Sequence, residues 1–119
     1  MAGELRTSLN TFRFVKDAVD ISIPAVLANF DVAGTNYIRR TQVIGTGDET
    51  LDLGEVATNG YIFLWNHDGT HFITMGADGS SYPIKLKSNE WAVLRWNGAA
   101  IHAKADTAAC QLEYLLIED

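Results

Sequence analysis

The stretch Trp65-Asn66-His67-Asp68-Gly69-Thr70-His71-Phe72 places two histidines four residues apart with an aspartate between them. Imidazole and carboxylate together can ligate a divalent cation. The His–x3–His spacing converges on a helix, where residues i and i+4 share a face. A helix with Asp-Gly at its centre is disfavoured, and no Glu follows the first histidine as in the helical zinc-protease motif. Asp68-Gly69 between two apolar runs predicts instead the tip of a two-residue hairpin. In that register Trp65 faces Phe72, Leu64 faces Ile73 and Ile62 faces Met75, pairs that cross-strand neighbours favour. His67 and His71 then fall on opposite faces, and His102 is remote in sequence. No metal and no cofactor is expected.

Other residue types capable of chemistry are isolated. Cys110 lies in an Ala-rich apolar context with no basic neighbour in sequence to activate it, which reads as a small buried side chain. Gly45-Thr46-Gly47 lacks the Lys-Ser/Thr ending of a phosphate loop and is followed by Asp48, so it reads as a turn. The acidic pairs Asp48/Glu49 and Glu118/Asp119 read as solvated. Trp91, Trp96, Tyr61 and Tyr82 could form a sugar-stacking platform. In Trp91-Ala92-Val93-Leu94-Arg95-Trp96, however, strand geometry points the two tryptophans to opposite faces, one to the core and one to an interface. Arg39-Arg40 is the only basic doublet, and one of the pair is expected to meet a carboxylate. The chain is read as a non-enzyme.

The elements that must position these residues are short. Apolar stretches recur at intervals of about ten residues between Gly, Asn, Asp and Ser turns, the pattern of an all-β sandwich or barrel. Expected strands are Leu9–Val15, Val19–Asn29, Tyr37–Ile44, Glu49–Leu53, Tyr61–Asn66, Thr70–Met75, Tyr82–Leu86, Trp91–Trp96, Ile101–Lys104 and Cys110–Ile117. Val19-Asp20-Ile21-Ser22-Ile23 alternates apolar and polar, and Pro24 marks an edge, bulge or break in the second of these strands. The last segment fits either period: Ala105, Ala108, Ala109, Leu112, Leu115 and Leu116 fall at helical spacing, while Leu112, Tyr114 and Leu116 fit one face of a strand. The segments flanking Asp68-Gly69 are apolar on both faces, with Phe63, Trp65 and Phe72 on one. Such a ribbon is either sandwiched between layers or meets another chain.

The sequence of 119 residues reads as one domain, 1–119, with residues 1–10 as an extended N-terminal arm. A net charge of −6 disfavours nucleic acid and anionic membranes as partners. One cysteine provides no disulfide framework, and the N-terminal residues lack the apolar core of a signal peptide, so synthesis in a cytoplasm is expected.

From Tyr37 to Glu118 the chain resembles a group of small virion proteins of tailed bacteriophages. The resemblance rests on Arg39-Arg40-Thr41-Gln42-Val43-Ile44-Gly45-Thr46, Leu51-Asp52-Leu53-Gly54, Gly60-Tyr61-Ile62-Phe63 with Asn66 and Asp68, Ile84-Lys85-Leu86-Lys87 with Glu90 to Arg95, and Ala103-Lys104-Ala105-Asp106 before a Leu-rich final strand. Ser88-Asn89 departs from the more usual Pro-Gly or Ala-Gly turn, and His67 stands where similar proteins carry an apolar residue.

The resemblance implies a jelly-roll-like β-sandwich of eight to ten short antiparallel strands, with a strand at the C-terminus. It implies a capsid decoration or cement protein that binds the major capsid protein and itself, as a trimer or dimer, on the virion surface. The alternative is a tail or fibre module that binds a host glycan, and a small cupin-like metalloenzyme is a third possibility on the same fold. The contact residues expected are Phe63, Trp65, Phe72, Trp91 and Arg39, together with the arm Met1–Asn10.

Overall fold

The computed structural model describes residues 3–119, which form twelve strands and no helix. They are β1 Leu5–Leu9, β2 Phe12–Lys16, β3 Val19–Ile23, β4 Val26–Phe30, β5 Tyr37–Ile44, β6 Glu49–Thr50, β7 Asn59–Asn66, β8 Ile73–Gly76, β9 Ile84–Leu86, β10 Trp91–Arg95, β11 His102–Ala105 and β12 Cys110–Glu118. The chain divides into two compact units, 1–33 and 34–119.

The larger unit is a sandwich of two four-stranded sheets. The first has the order β10-β7-β12-β5 and the second β6-β11-β8-β9. All pairings are antiparallel. Numbered from β5, the eight strands fall in the orders 6-3-8-1 and 2-7-4-5. This is the winding of a jelly roll, in which every chain reversal but one carries the polypeptide from one sheet to the other, β8 and β9 forming a hairpin within the second sheet.

Period-2 alternation builds the core. Ile62 and Leu64 of β7, Leu112, Tyr114 and Leu116 of β12, and Ile44 of β5 point inward from the first sheet. Ile73 and Met75 of β8, Leu86 of β9, and Ala103 and Ala105 of β11 meet them from the second. Each large aliphatic side chain so buried contributes about 1.5–3 kcal/mol. The final segment is strand throughout, because Cys110, Leu112, Tyr114 and Leu116 all face this core. Tyr114 also ties the layers together: its hydroxyl donates to the Asp52 carbonyl at 2.6 Å.

The hairpin expected at Asp68-Gly69 does not form. β7 pairs with β10 and β12 in the first sheet, whereas β8 pairs with β9 and β11 in the second. Residues 67–72 are an arch between the sheets. The side chains take over the turn: Asn66 Oδ1 accepts from the Asp68 amide at 2.9 Å, and Asp68 Oδ2 accepts from the Thr70 and His71 amides. These are Asx-type bonds, an alternative to the positive-φ hairpin turn. Positive φ occurs instead at Gly3, Gly54, Gly98, Asp17 and Asn89 among the described residues.

The smaller unit is a ribbon. β1 pairs with β4 from Leu5↔Phe30 to Leu9↔Val26, and β2 pairs with β3 from Phe12↔Ile23 to Lys16↔Val19. The two ladders follow one another along a single long hairpin whose tip is Asp17-Ala18, with Asp17 at φ 53°. Residues 10–11 and 24–25 interrupt it, Pro24 lacking the amide a ladder needs. The two strands expected at Leu9–Val15 and Val19–Asn29 are each divided there. The residues expected to be an extended arm contain β1, while Met1 and Ala2 lie outside the described residues.

Candidate interaction surface

Because β7, β10, β12 and β5 lie side by side, their outward residues align in rows across the first sheet. One row runs Trp91, Trp65, Glu113, Thr41, and the next runs Val93, Phe63, Leu115, Arg39. The aromatic side chains of neighbouring strands touch. Phe63 lies 6.3 Å from Trp65 in an edge-on arrangement and 6.4 Å from Trp91. Trp91 is 57% exposed and Val93 49%. The outward face of an antiparallel sheet ordinarily carries polar residues, so this apolar tract departs from that pattern.

Polar side chains rim the tract. Glu113 receives His67 Nε2 at 2.7 Å and Arg39 Nη2 at 3.1 Å, and these two hydrogen bonds hold its carboxyl below the usual range, His67 contributing most. The His67 ring stacks on Trp65 at 4.3 Å, and the Trp65 indole donates to the Asn89 carbonyl at 3.2 Å. On the next row Arg95 lies over the Tyr61 ring at 4.4 Å and pairs with Asp119 at 3.0 Å. Trp65 is thus the most tightly held of the aromatic side chains, between the His67 ring and the Asn89 carbonyl.

Of the five contact residues expected from sequence, Phe63, Trp65, Trp91 and Arg39 share this face. Phe72 does not. It belongs to the arch leading into β8, with Lys85 Nζ 4.2 Å from its ring centre and its carbonyl accepting from the Asp106 amide at 3.0 Å. Its expected partner Trp65 instead pairs with Trp91 and Glu113. Sequence reasoning missed Val93, Leu115 and Glu113. Their signal is the outward half of the alternation in Trp91–Arg95 and Cys110–Glu118, legible only once the strand order is known.

Groups with chemical potential elsewhere are paired structurally. Cys110 is buried, its thiol pushed up by desolvation and directed at the Ala108 carbonyl at 3.5 Å. His71 Nδ1 lies 3.2 Å from Asp68. His102 Nδ1 is 3.1 Å from both Asp48 carboxylate oxygens, and the same carboxylate accepts from the Tyr82 hydroxyl, raising that phenol to about 12. Among the described residues no group of three or more His, Cys, Asp and Glu could hold a metal ion. Trp96 is 5% exposed and its indole donates to the Ala100 carbonyl, so it packs on the core face opposite Trp91.

A cavity of about 570 Å³ opens at one end of the sandwich, lined by Asn59, Arg95, Trp96, Asn97 and Asp119 among others. Asn59 donates to the Gly98 carbonyl at 2.9 Å, while its buried Oδ1 meets no donor among the described residues. No family model, no curated protein and no solved structure matches this chain.

Proposed function

We propose that this protein is a structural component of a tailed-phage virion, a capsid decoration protein that bridges major capsid subunits and stabilises the mature head. The observation that carries this reading is the aromatic outer face of the first sheet, where Trp91, Phe63, Trp65, Val93 and Leu115 form one apolar tract. The resemblance of residues 37–118 to small virion proteins supplies the identity of the partner.

Such a protein needs no reaction. It acts by mass action, stabilising whichever lattice it binds by RT ln(1 + [L]/Kd). A rigid sheet suits this work, because little side-chain entropy is lost when pre-packed rings meet a partner. Trp is also the residue type most enriched in the energetic centre of interfaces. Many modest contacts repeated over a lattice add through avidity. On this reading the protein is made in the bacterial host cytoplasm and resides on the capsid surface.

The test mixes purified protein with matured and immature heads, followed by sedimentation and image reconstruction. Ordered density on the outside of matured heads, lost with Trp91→Ser, is the expected result. Absence of binding to heads, with retention on a glycan array through the same face, would replace this reading with that of a tail or fibre module.

A further inference from the structure

The ribbon of residues 5–30 carries an amphipathic face of its own. Alternation sends Phe12, Phe14, Val19, Ile21 and Ile23 to one side with Lys16, and Arg13, Val15, Asp20 and Ser22 to the other. The five apolar residues are 61%, 53%, 43%, 59% and 46% exposed. On the polar side Arg13 makes a forked contact with Asp20, Nε at 2.9 Å and Nη2 at 2.7 Å. All ten residues of β2 and β3 are exposed. A two-stranded ribbon is at best marginal in water; stability needs further strands or a packed face.

We propose that the apolar face of this ribbon docks on the same face of a second copy of the chain, stacking two ribbons into a small four-stranded, two-layer sandwich. Area is the first argument. Five side chains, each with roughly 150–200 Å² of surface and about half of it exposed, leave on the order of 400–500 Å² per copy. Complete self-pairing therefore buries roughly 800–1,000 Å² in all, the lower end of what a specific interface needs.

Charge is the second argument. Within residues 12–23, Arg13 and Lys16 balance Asp17 and Asp20, so the β2–β3 end of the ribbon is neutral while the chain carries −6. Two ribbons therefore meet without repulsion, and a strongly charged foreign partner finds no complement there. Symmetry is the third. About a two-fold axis the Phe14–Ile21 pairs meet at the centre, and the Phe12–Ile23 end of one ribbon covers the Lys16–Val19 end of the other. Lys16 then extends past the rim into water.

This assembly is independent of what the first sheet binds, so its test needs no capsid. The full chain is prepared with p-benzoylphenylalanine in place of Phe14, in light and 15N-labelled forms, mixed, irradiated and digested. Expected are light–heavy cross-links landing in residues 12–23 of the other copy, and a solution mass at least twice 13.1 kDa. Phe14→Glu with Ile21→Glu should cut that mass to the monomer's while the near-ultraviolet signal of buried Trp96 persists. A monomeric parent chain, cross-links confined to one chain, or cross-links landing only in residues 34–119 would each overturn the proposal. Head binding is scored separately, so loss of one reading leaves the other intact.

Discussion

The side-chain amide of Asn66, at the end of β7, donates to the Leu86 carbonyl at the end of β9, at 3.1 Å, and so joins two strands that lie in different sheets. The same nitrogen lies 2.9 Å from the His71 carbonyl and 3.2 Å from the Lys87 carbonyl, so its two N–H groups are shared among three acceptors, while its oxygen takes the Asp68 amide. Asn66 is fully buried. One polar side chain thereby satisfies the backbone of the arch and of the strand end facing it.

Asn66→Ala should therefore be among the most destabilising single substitutions. It removes the side-chain donor from the buried Leu86 carbonyl and opens a void, a combined cost of about 2–4 kcal/mol. Urea unfolding would register it as a lower midpoint at unchanged slope. Asn66→Asp should do no better, since it removes the donor and buries a charge.

Gly60 and Gly47 predict a contrast. A Cβ on Gly60 would lie 2.7 Å from the Ile117 carbonyl oxygen and 3.1 Å from the Asp119 amide, both backbone atoms unable to give way. This is the place where the register between β7 and β12 shifts. Gly60→Ala should cost about 2–3 kcal/mol through overpacking. A Cβ on Gly47 would meet nothing within 4 Å, so this position should accept Ala with a change within about 0.5 kcal/mol.

Alkaline titration should report on Tyr82 and Tyr114. Burial pushes the Tyr114 phenol up to about 12, and the hydrogen bond to Asp48 does the same for Tyr82. A folded-state value raised above the unfolded one contributes stability that is complete below about 10 and is lost as pH rises through about 12. Ultraviolet difference titration should show two late-ionising phenols. Asp48→Asn should bring one of them down, leaving Tyr114 late.

Glu118 sets the acid side. Its carboxylate accepts from the amides of Ala57 at 2.8 Å and Thr35 at 3.2 Å, and these bonds hold it below the usual glutamate range. The depressed value means that its contribution is present above the ordinary glutamate value of about 4.3 and lost as pH falls through the folded-state value. Glu118→Gln should flatten the fall in thermal midpoint across that window. An unchanged acid profile would show that the carboxylate adds nothing there.

The outer face should separate binding from folding. Trp91→Ser with Val93→Ser removes exposed side chains, so the unfolding midpoint should move little. Head binding should weaken at least tenfold, as for truncation at an interface centre. A large stability loss with unchanged binding would assign the face to folding alone.

Much of the sandwich was legible in the chain. Alternation in Val19–Ile23 and Trp91–Arg95, and the turn residues between runs, are local signals, because side chains of a strand change face at every residue; the final segment fitted either period until the core it faces was known. They located most strands, marked Pro24 as an interruption, and picked out Phe63, Trp65, Trp91 and Arg39 before any pairing was known. The Asp68-Gly69 hairpin misled because turn chemistry is equally local. It describes what two residues can do, and it is silent on whether the flanking strands prefer other partners. Both faces of β7 are apolar, so it gained more as an inner strand between β10 and β12 than as half of a hairpin with β8.

By itself, then, the sequence determined most of the strand content outside the final segment and the apolar surplus, since these follow from side-chain period and composition. Only tertiary structure decided which strands are neighbours, and with that which aromatic residues share a face and that Phe72 does not. The physical reason is that strand pairing in a jelly roll joins residues far apart in the chain, such as Tyr37 with Ile117 and Trp65 with Trp91. Such choices are settled by the summed burial of all the strands and the hydrogen-bond needs of buried groups such as Asn66, not by any short stretch.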